Sequence, residues 1–465
     1  MTDELIQGMA AALSDLSPMM QIGRVADVDG TVIWVTGLSR NAAIGDRLCL
    51  FLRDGHRVEG EVIRILNGRV AMLSESGVQG VTLGDRVGLL GRLRLRPGPH
   101  WQGRIMDPLG RPMDGHPLLP GAGQIPDRPS PPPAGTRRAL GDRLNTGTNV
   151  FDTLLPIVRG QRIGLFAGSG VGKSSLLGTL ARKMDADVVV LALVGERGRE
   201  LRDFVENVLG PEGMQRSVVI AATSDRSPLE RRQCLHTAMA VAEYFRDRGD
   251  HVLLLADSVT RFAEAHREVA IAAGELPALR GYPPSVSHEI MGLCERAGPG
   301  HDSAGDITAV LSVLVAGSDM DEPIADILRG VLDGHVVMDR AIAERGRYPA
   351  IDLLKSVSRS LPAAATQQEN ATLQTVKTLL GSYERSENMI RAGLYRRGSD
   401  PLLDQAISVW AELEAFMSDP NGSTATTAFA RLNTILRRAG TQQTPTASPQ
   451  HQGRQAATAP QRRAR

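Results

Sequence analysis

Aromatic residues and cysteines are scarce in this chain of 465 residues. Only 3% of the residues are Phe, Trp or Tyr, so the core must be built mostly from aliphatic side chains and methionine. The three cysteines (Cys49, Cys234 and Cys294) are odd in number, lie far apart and form no C-x-x-C pair. This usage argues against a disulfide framework or a zinc site and is typical of a reducing cytoplasm.

Long hydrophobic runs and an excess of one charge are missing as well. No stretch of about 18 apolar residues is free of charge, so we expect no membrane span. The N-terminus, MTDELIQGM, carries acidic residues and does not resemble a secretory signal. The formal net charge is +1, so the surface as a whole does not attract nucleic acid or anionic lipid. We therefore expect a cytoplasmic protein that binds no nucleic acid, and any association with a membrane must be peripheral and come through a partner.

The clearest positive signal is residues 162–180, RIGLFAGSGVGKSSLLGTL, which read as a strand, a glycine loop and the start of a helix. Glycines let backbone N–H groups converge on a phosphate, and the helix N-terminus adds its positive dipole end. The pattern predicts a P-loop for ATP in which Lys173 reaches the β- and γ-phosphates and Ser174 ligates Mg²⁺. Ala167 replaces the usual first glycine, and a small residue suffices there. The residues expected to bind the nucleotide in this loop are Gly168, Ser169, Gly170, Val171, Gly172, Lys173, Ser174 and Ser175.

The regions around this loop differ in their hydrophobic patterns. Short apolar runs between Asp-Gly and Asn-Gly turns predict a small closed barrel. Unalternating apolar runs, as at residues 188–194 and 252–256, fit a parallel sheet buried on both faces. We predict an α/β protein with an N-terminal small β-barrel, a central doubly wound parallel-sheet domain and a C-terminal helical domain. Its segments are an amphipathic stretch over 1–20, the barrel over 21–97, a connector over 98–150, the P-loop domain over 151–360, the helical domain over 361–440 and a disordered tail over 441–465.

The amphipathic stretch at the N-terminus has two interpretations. Its apolar stripe consists of Leu5, Ile6, Met9, Leu13 and Leu16. Such a helix can dock a partner, or it can fold back on its own domain.

Two acidic residues follow predicted strands, where ligands bind in an open parallel sheet. Asp257 closes the run 252–256 in the manner of a Walker B acid that holds Mg²⁺ directly or through water. Glu196 follows the run ending at Val194 and is suited to polarise the attacking water. A salt bridge from Glu196 to a neighbouring arginine is an equally good interpretation of its spacing.

Two later residues depend on distances that a sequence does not give. Arg359 follows Ser358 late in the P-loop domain and is either an arginine finger for a neighbouring subunit or a surface arginine. Tyr348 offers a flat ring to adenine or belongs to the core. The pair His288-Glu289 has no metal-binding spacing, and we interpret it as incidental.

The motifs together resemble a known family. FAGSGVGKSSLL, VGERGREL, VLLLADSVTRFAEAHREV, GYPPSV, ERAG and RAIAERGRYPAID are similar to the catalytic subunits of rotary-type ATPases. With SYERSENMIRAGLYRRGSDPLLDQAI near the C-terminus, the chain resembles the type III protein export ATPases of flagella and of virulence injectisomes. The resemblance covers roughly residues 20–435.

The resemblance implies a homohexamer that binds ATP and Mg²⁺ at its interfaces. It implies that Glu196 is the catalytic glutamate, that Arg261 lies near the phosphates and that Arg359 is offered across the interface. Tyr348 matches the adenine-side aromatic residue. The implied partners are a stator-like cytoplasmic regulator at the N-terminus, export-gate membrane proteins and chaperone–substrate complexes. One departure is SHEIMGL at residues 287–293, where many relatives read FAELPRL, and it concerns pore-side or interface contacts.

Several functions remain open at this point. A flagellar export ATPase leads, and an injectisome ATPase differs from it only in its clients. An ATP synthase β subunit is disfavoured by the C-terminal segment. A non-catalytic ring subunit would lack an acid such as Glu196. An RNA translocase would need a basic, aromatic-bearing barrel, which this sequence does not supply.

Overall fold

The computed structural model describes residues 19–315, 320–420, 422 and 424–441, together with residues 6, 8–10 and 13. The predicted docking stretch over residues 1–20 lies mostly outside the described residues, although Ile6, Met9 and Leu13 are described and exposed. The predicted tail lies outside them from residue 442 onward. No helix in the described part is long and apolar enough to cross a bilayer.

The N-terminal domain is a closed six-stranded antiparallel barrel, as predicted. Its strands close in the order β1-β2-β5-β4-β3-β6 around an aliphatic core. The Asp29-Gly30 and Asn67-Gly68 turns join β1 to β2 and β4 to β5. The barrel strands are β1 Ile22–Asp29, β2 Val32–Thr36, β3 Arg47–Phe51, β4 Arg57–Leu66, β5 Arg69–Ser74 and β6 Arg86–Gly91.

The central domain is built on a nine-stranded sheet, which confirms the predicted α/β class. Its order is β17-β16-β10-β15-β13-β11-β12-β8, with β14 paired to β15. All neighbours are parallel except the pairs β16–β17 and β14–β15. Two short strands, β7 Arg94–Leu95 and β9 Ile125–Pro126, pair outside it. The sheet strands are β8 Arg104–Met106, β10 Arg162–Ala167, β11 Val188–Glu196, β12 Ser217–Thr223, β13 His251–Asp257, β14 Gly298–Pro299, β15 Asp306–Leu314, β16 Gly334–Met338 and β17 Ile351–Ser358.

Helices cover both faces of this sheet. The longest, α4, begins with a capping box in which Ser227 and Glu230 satisfy each other's backbone N–H groups. The helices are α1 Lys173–Lys183, α2 Gly198–Asp203, α3 Gly210–Gln215, α4 Pro228–Asp247, α5 Val259–Ala272, α6 Ser285–Arg296, α7 Pro323–Val331 and α8 Arg340–Glu344. Short 3-10 turns lie at Pro99–Trp101, Ala134–Thr136 and Leu279–Gly281, and π-helical turns lie at Val150–Leu154 and Phe204–Leu209.

Three C-terminal helices pack on the central domain, as predicted. They are α9 Gln367–Arg391, α10 Pro401–Ser418 and α11 Ala425–Thr441. Their apolar faces share one continuous core with α1 and one face of the sheet. The side chain of Asn149 donates to the Phe416 carbonyl at 2.9 Å, which fixes α10 to the chain ahead of β10.

Residues 98–150, which the sequence suggests are a connector, supply strand β8 at the edge of the central sheet. Three residues of β8 pair with Val218, Val219 and Ile220 of β12. This segment is therefore part of the sheet as well as a link between domains. The exact division of the chain at residues 20, 97, 150, 360 and 440 stays a prediction.

The barrel and the central domain meet in a seam that contains a buried ion pair. Arg232 on α4 donates through Nη2 to both carboxylate oxygens of Glu61 on β4, each at 2.6 Å. The two side chains are only 7% and 16% exposed. Apolar residues from both domains pack beside the pair: Ile63, Ala71, Leu73, Leu229 and Val269.

We predict that Glu61→Gln destabilises the fold by about 3–5 kcal/mol, because it leaves the Arg232 guanidinium buried without a counter-charge. Urea unfolding followed by circular dichroism measures the change. The matched control is Glu344→Gln, which breaks an exposed helical pair with Arg340 and should cost less than about 1 kcal/mol. Equal effects of the two substitutions would contradict a structural role for the seam pair.

Candidate active site

The glycine loop follows β10 and leads directly into α1. Gly170 and Gly172 have φ values of +77° and +85°, a region that side chains with a Cβ rarely adopt. A Cβ on Gly172 would also lie 3.1 Å from the ring of Tyr348. The backbone therefore requires glycine at both positions, which is typical of a loop whose N–H groups bind an anion.

Lys173, the first residue of α1, contacts the carboxylate of Asp257 at the end of β13. The same oxygen, Oδ1, accepts a hydrogen bond of 2.8 Å from the hydroxyl of Ser312. Ser312 lies on β15, the strand between β10 and β13. Three neighbouring strands thus bring a cation, an anion and a hydroxyl together at the carboxyl ends of the strands. We call these carboxyl ends one edge of the sheet.

Glu196 ends β11, and an irregularity between Val194 and Glu196 shifts its register against β12. Such a bulge turns the next side chain in a new direction. Glu196 lines the same pocket as Ser174 and Asp257. Burial, together with the nearby charge of Asp257, raises the pKa of Glu196 to about 7. A carboxyl group with this pKa exchanges its proton near neutral pH and is suited to general base catalysis.

Acidic side chains dominate the lining of the pocket, and two of them have basic partners: Lys173 contacts Asp257, and Arg197 donates to Glu200 at 3.2 Å. Glu200 and Asp203 from α2 join Glu196 and Asp257 in its wall. Within the described ranges, no group of three or more His, Cys, Asp or Glu side chains is arranged to hold a metal ion. A divalent cation at Asp257 would therefore need oxygens from a hydroxyl, water or phosphate to complete its shell.

The structure also brings Tyr348 and Arg261 to this edge. Tyr348 is 49% exposed, and its ring lies against Gly172. The aliphatic part of Arg261 packs on Gly195, while its guanidinium donates to Glu264 at 2.9 Å. Arg261 thus lies next to the bulge that carries Glu196.

Arg359 lies elsewhere. Its backbone N–H donates to the carbonyl of Asp333, and its guanidinium donates to the carbonyl of Arg329, both at 3.0 Å. The carboxylate of Asp333 in turn accepts from Arg162 at the start of β10. Arg162 begins β10 and Ala167 ends it, and these two ends of the extended strand are about 16 Å apart. Arg359 therefore lies at the opposite edge of the sheet from its own P-loop.

Sequence reasoning missed two features. Ser312 is hidden in an apolar run, and only its polarity inside that run signals a function. Glu289 belongs to the His288-Glu289 pair, which its spacing suggests is incidental, and it has a packing role. Its carboxylate lies 3.3 Å from His236 Nε2 in the buried seam region. Neither contact follows from spacing along the chain.

Comparisons with known proteins agree with this geometry. The family model "ATP synthase alpha/beta family, nucleotide-binding domain" matches residues 147–358, and "T3SS EscN ATPase C-terminal domain" matches residues 365–433. The chain is 44% identical over 420 residues to a flagellum-specific ATP synthase of Caulobacter vibrioides, covering 89% of this chain and 95% of that protein. It is 41% identical over 410 residues to a type 3 secretion system ATPase of Xanthomonas euvesicatoria, covering 88% and 92%.

Among solved structures, the assembled ATPase EscN from the type III secretion system of enteropathogenic E. coli is similar, with a TM-score of 0.82. It is 36% identical to this chain, and the match covers 89% of this chain and all of EscN. The fold, the glycine loop at the carboxyl ends of the strands and the family match together define the class of the protein. It is a P-loop ATPase of the ATP synthase α/β class, and it acts on a nucleotide. Within that class, the chain belongs to the family of type III protein export ATPases, which includes the flagellum-specific ATP synthases. The C-terminal match separates it from ATP synthase β subunits.

We predict that Lys173→Ala lowers the rate of ATP hydrolysis by at least about 10²–10³-fold and weakens ATP binding, because it removes the ammonium group next to the glycine loop. Steady-state turnover and titration with a fluorescent nucleotide measure both effects. Lys183→Ala is the matched control, since Lys183 ends the same helix and donates to the Pro420 carbonyl. Normal turnover of the Lys173 variant would refute the site.

Proposed function

We propose that this chain hydrolyses ATP to energise protein export by a flagellar type III apparatus. The observation that carries the proposal is the edge of the sheet where the glycine loop, Lys173, Asp257 and Glu196 converge. The flagellar assignment is favoured by flagellum-specific relatives from several bacteria at 42–44% identity, against 41% for the secretion-system relative. A flagellum-specific relative of Borreliella burgdorferi is 39% identical, so identity alone does not separate the two systems. An injectisome ATPase is the second candidate, because a secretion-system relative matches nearly as well.

In this proposal, the backbone N–H groups of the loop from Gly168 to Gly172, which includes Ser169 and Val171, cradle the phosphates. The backbone N–H group of Ser175, in the first turn of α1, adds to them. Lys173 moves from Asp257 to the β- and γ-phosphates. The exposed ring of Tyr348 provides a surface for adenine next to Gly172. These contacts bind and orient the nucleotide. Lys173 has a catalytic role as well, because its ammonium stabilises the negative charge that develops on the phosphates in the transition state.

The oxygen atoms of Ser174 and Asp257 fit Mg²⁺, which prefers hard oxygen ligands and usually keeps several waters. Both residues line one pocket with Glu196. When bound, Mg²⁺ would neutralise charge on the phosphate oxygens. We assign Ser174 and Asp257 as its protein ligands, directly or through water.

Glu196 is the proposed general base, and it holds the proton of the attacking water. Only its carboxylate form accepts that proton, so the active fraction grows as pH rises through the pKa. Arg261 packs on Gly195, the residue before Glu196. We propose that its guanidinium stabilises the negative charge that develops on the phosphates.

We predict that Glu196→Gln lowers kcat by about 10²–10⁴-fold while ATP binding survives, since the amide keeps the size but cannot accept the proton. In the unmodified chain, kcat should rise with pH across a midpoint of about 7, and the variant should lose this limb. Glu206→Gln, an exposed position on the neighbouring helical turn, is the control. Loss of ATP binding together with turnover would show that Glu196 has a structural role instead.

The same variant tests the export function in the cell. A strain whose only copy carries Glu196→Gln should export no flagellin and should not swim. Normal flagella with loss of secreted virulence proteins would assign the chain to an injectisome.

Arg359 cannot reach the phosphates bound by its own chain, because it lies at the other edge of the sheet. We propose that it acts on the γ-phosphate of a neighbouring subunit in a ring of six identical chains. The assembled state of EscN supports the ring. An arginine supplied in this way is worth about 10³–10⁵-fold in rate.

We predict that Arg359→Ala binds ATP and assembles but hydrolyses ATP about 10³-fold more slowly or worse. Mixing it with Lys173→Ala should restore part of the activity, because each chain supplies what its neighbour lacks. Turnover of the mixture and native mass spectrometry of the mixed rings measure this. Arg340→Ala, a highly exposed arginine of the same domain, should remain active. Normal turnover by Arg359→Ala alone would disprove the shared site.

The remaining proposed partners are those that the resemblance to the family implies. EscN has been solved in complex with its central stalk EscO, which supports a stalk protein in the ring of this chain. We further propose a stator-like regulator at residues 1–20, and contacts with export-gate membrane proteins and chaperone–substrate complexes. These contacts would hold the ATPase, from the cytoplasm, at the inner face of the membrane. Nucleic acid has no place in this scheme.

A further inference from the structure

Ser312 is an unusual residue for its place in the fold. It lies within β15, in the sequence DITAVLSVL, and it is completely buried. Aliphatic side chains fill most of this strand, and an alanine would fit the same space without a polar atom to satisfy. A hydroxyl group in such a place costs free energy unless it is hydrogen-bonded.

The register of the sheet gives this hydroxyl a specific partner. Leu165 of β10 pairs with Ser312 on one side, and Ala256 of β13 pairs with Leu311 on the other. One residue further along, Asp257 therefore lies beside Ser312. The hydroxyl donates to Asp257 Oδ1 at 2.8 Å. The Ser312 hydroxyl must be the donor in this bond, because an ionised carboxylate only accepts.

The contacts to Asp257 are divided unequally between its two oxygens. Oδ1 receives both the Ser312 hydroxyl and the Lys173 ammonium. Among the residues that the structure describes, none donates a hydrogen bond to Oδ2. Since Asp257 also lines the pocket with Ser174, the second oxygen stays available to a ligand there.

We propose that Ser312 is a positioning residue that fixes the rotation of the Asp257 carboxylate, so that Oδ2 is presented to Mg²⁺ bound with ATP. This role rests on the proposed function of the site. When the nucleotide takes Lys173 away from Asp257, the Ser312 hydroxyl is the described contact that keeps Oδ1 in place. Partners that orient a metal ligand in this way typically change metal affinity or activity by about 10–100-fold when removed.

Ser312→Ala removes the hydroxyl and keeps the size of the side chain. We expect the apparent affinity for Mg²⁺ to fall about 10–100-fold, measured by calorimetry with a non-hydrolysable ATP analogue over a Mg²⁺ titration. Binding of the same analogue in EDTA should stay unchanged. kcat at subsaturating Mg²⁺ should fall, and high Mg²⁺ should restore much of it. Ser312→Thr keeps the hydroxyl and should retain most of the Mg²⁺ affinity.

Ser217→Ala is the matched control. Ser217 is a completely buried serine on β12 of the same sheet, and it donates to the Gly213 carbonyl, away from Asp257. A Mg²⁺ affinity of Ser312→Ala within twofold of the parent would overturn the inference, and so would an equal loss in Ser217→Ala. If the parent chain itself binds the analogue no better with Mg²⁺ than in EDTA, the proposed function fails, which is a distinguishable result.

Discussion

The contact between Lys173 and Asp257 is the interaction on which the site depends. Both side chains are nearly buried, and neither charge is stable there without the other. The pair ties the start of α1 to the end of β13 across β15. A phosphate that takes Lys173 leaves Asp257 without its counter-charge and next to new negative charge. In the proposed site, a cation would then replace the lysine as the partner of Asp257, which would couple phosphate binding to cation binding at this position.

The order of the strands makes this contact possible. Placing β15 between β10 and β13 separates the glycine loop from Asp257 by one strand, which lies within reach of a lysine side chain. The same strand brings a hydroxyl to the carboxylate, and the bulge before Glu196 turns a second acid into the pocket. Each functional group thus comes from a different strand end, and the parallel arrangement aligns those ends at one edge.

Local patterns in the sequence predicted the barrel, the parallel sheet and the helical end. The Asp29-Gly30 and Asn67-Gly68 turns mark hairpins, and the glycine loop between strand and helix marks a phosphate site, because these structures depend on neighbouring residues. Other features depend on pairing between distant residues. The Arg232–Glu61 pair joins residues 171 positions apart, and the pairing of β8 with β12 joins a presumed connector to the sheet. Ser312 is invisible for the same reason, since only the register of β15 against β13 gives its hydroxyl a partner.

The position of Arg359 sets a limit on what one chain can do. A single chain carries the glycine loop, Lys173, Asp257 and Glu196 at one edge of the sheet, and these are the groups that the proposed mechanism uses to bind a nucleotide and to activate water. Arg359 is fixed to the other edge by the Asp333 and Arg329 carbonyls and cannot swing around the sheet. If this arginine stabilises the transition state, hydrolysis requires a neighbour whose opposite edge faces the site. A single chain would then bind ATP, and fast ATP hydrolysis would require the assembled ring.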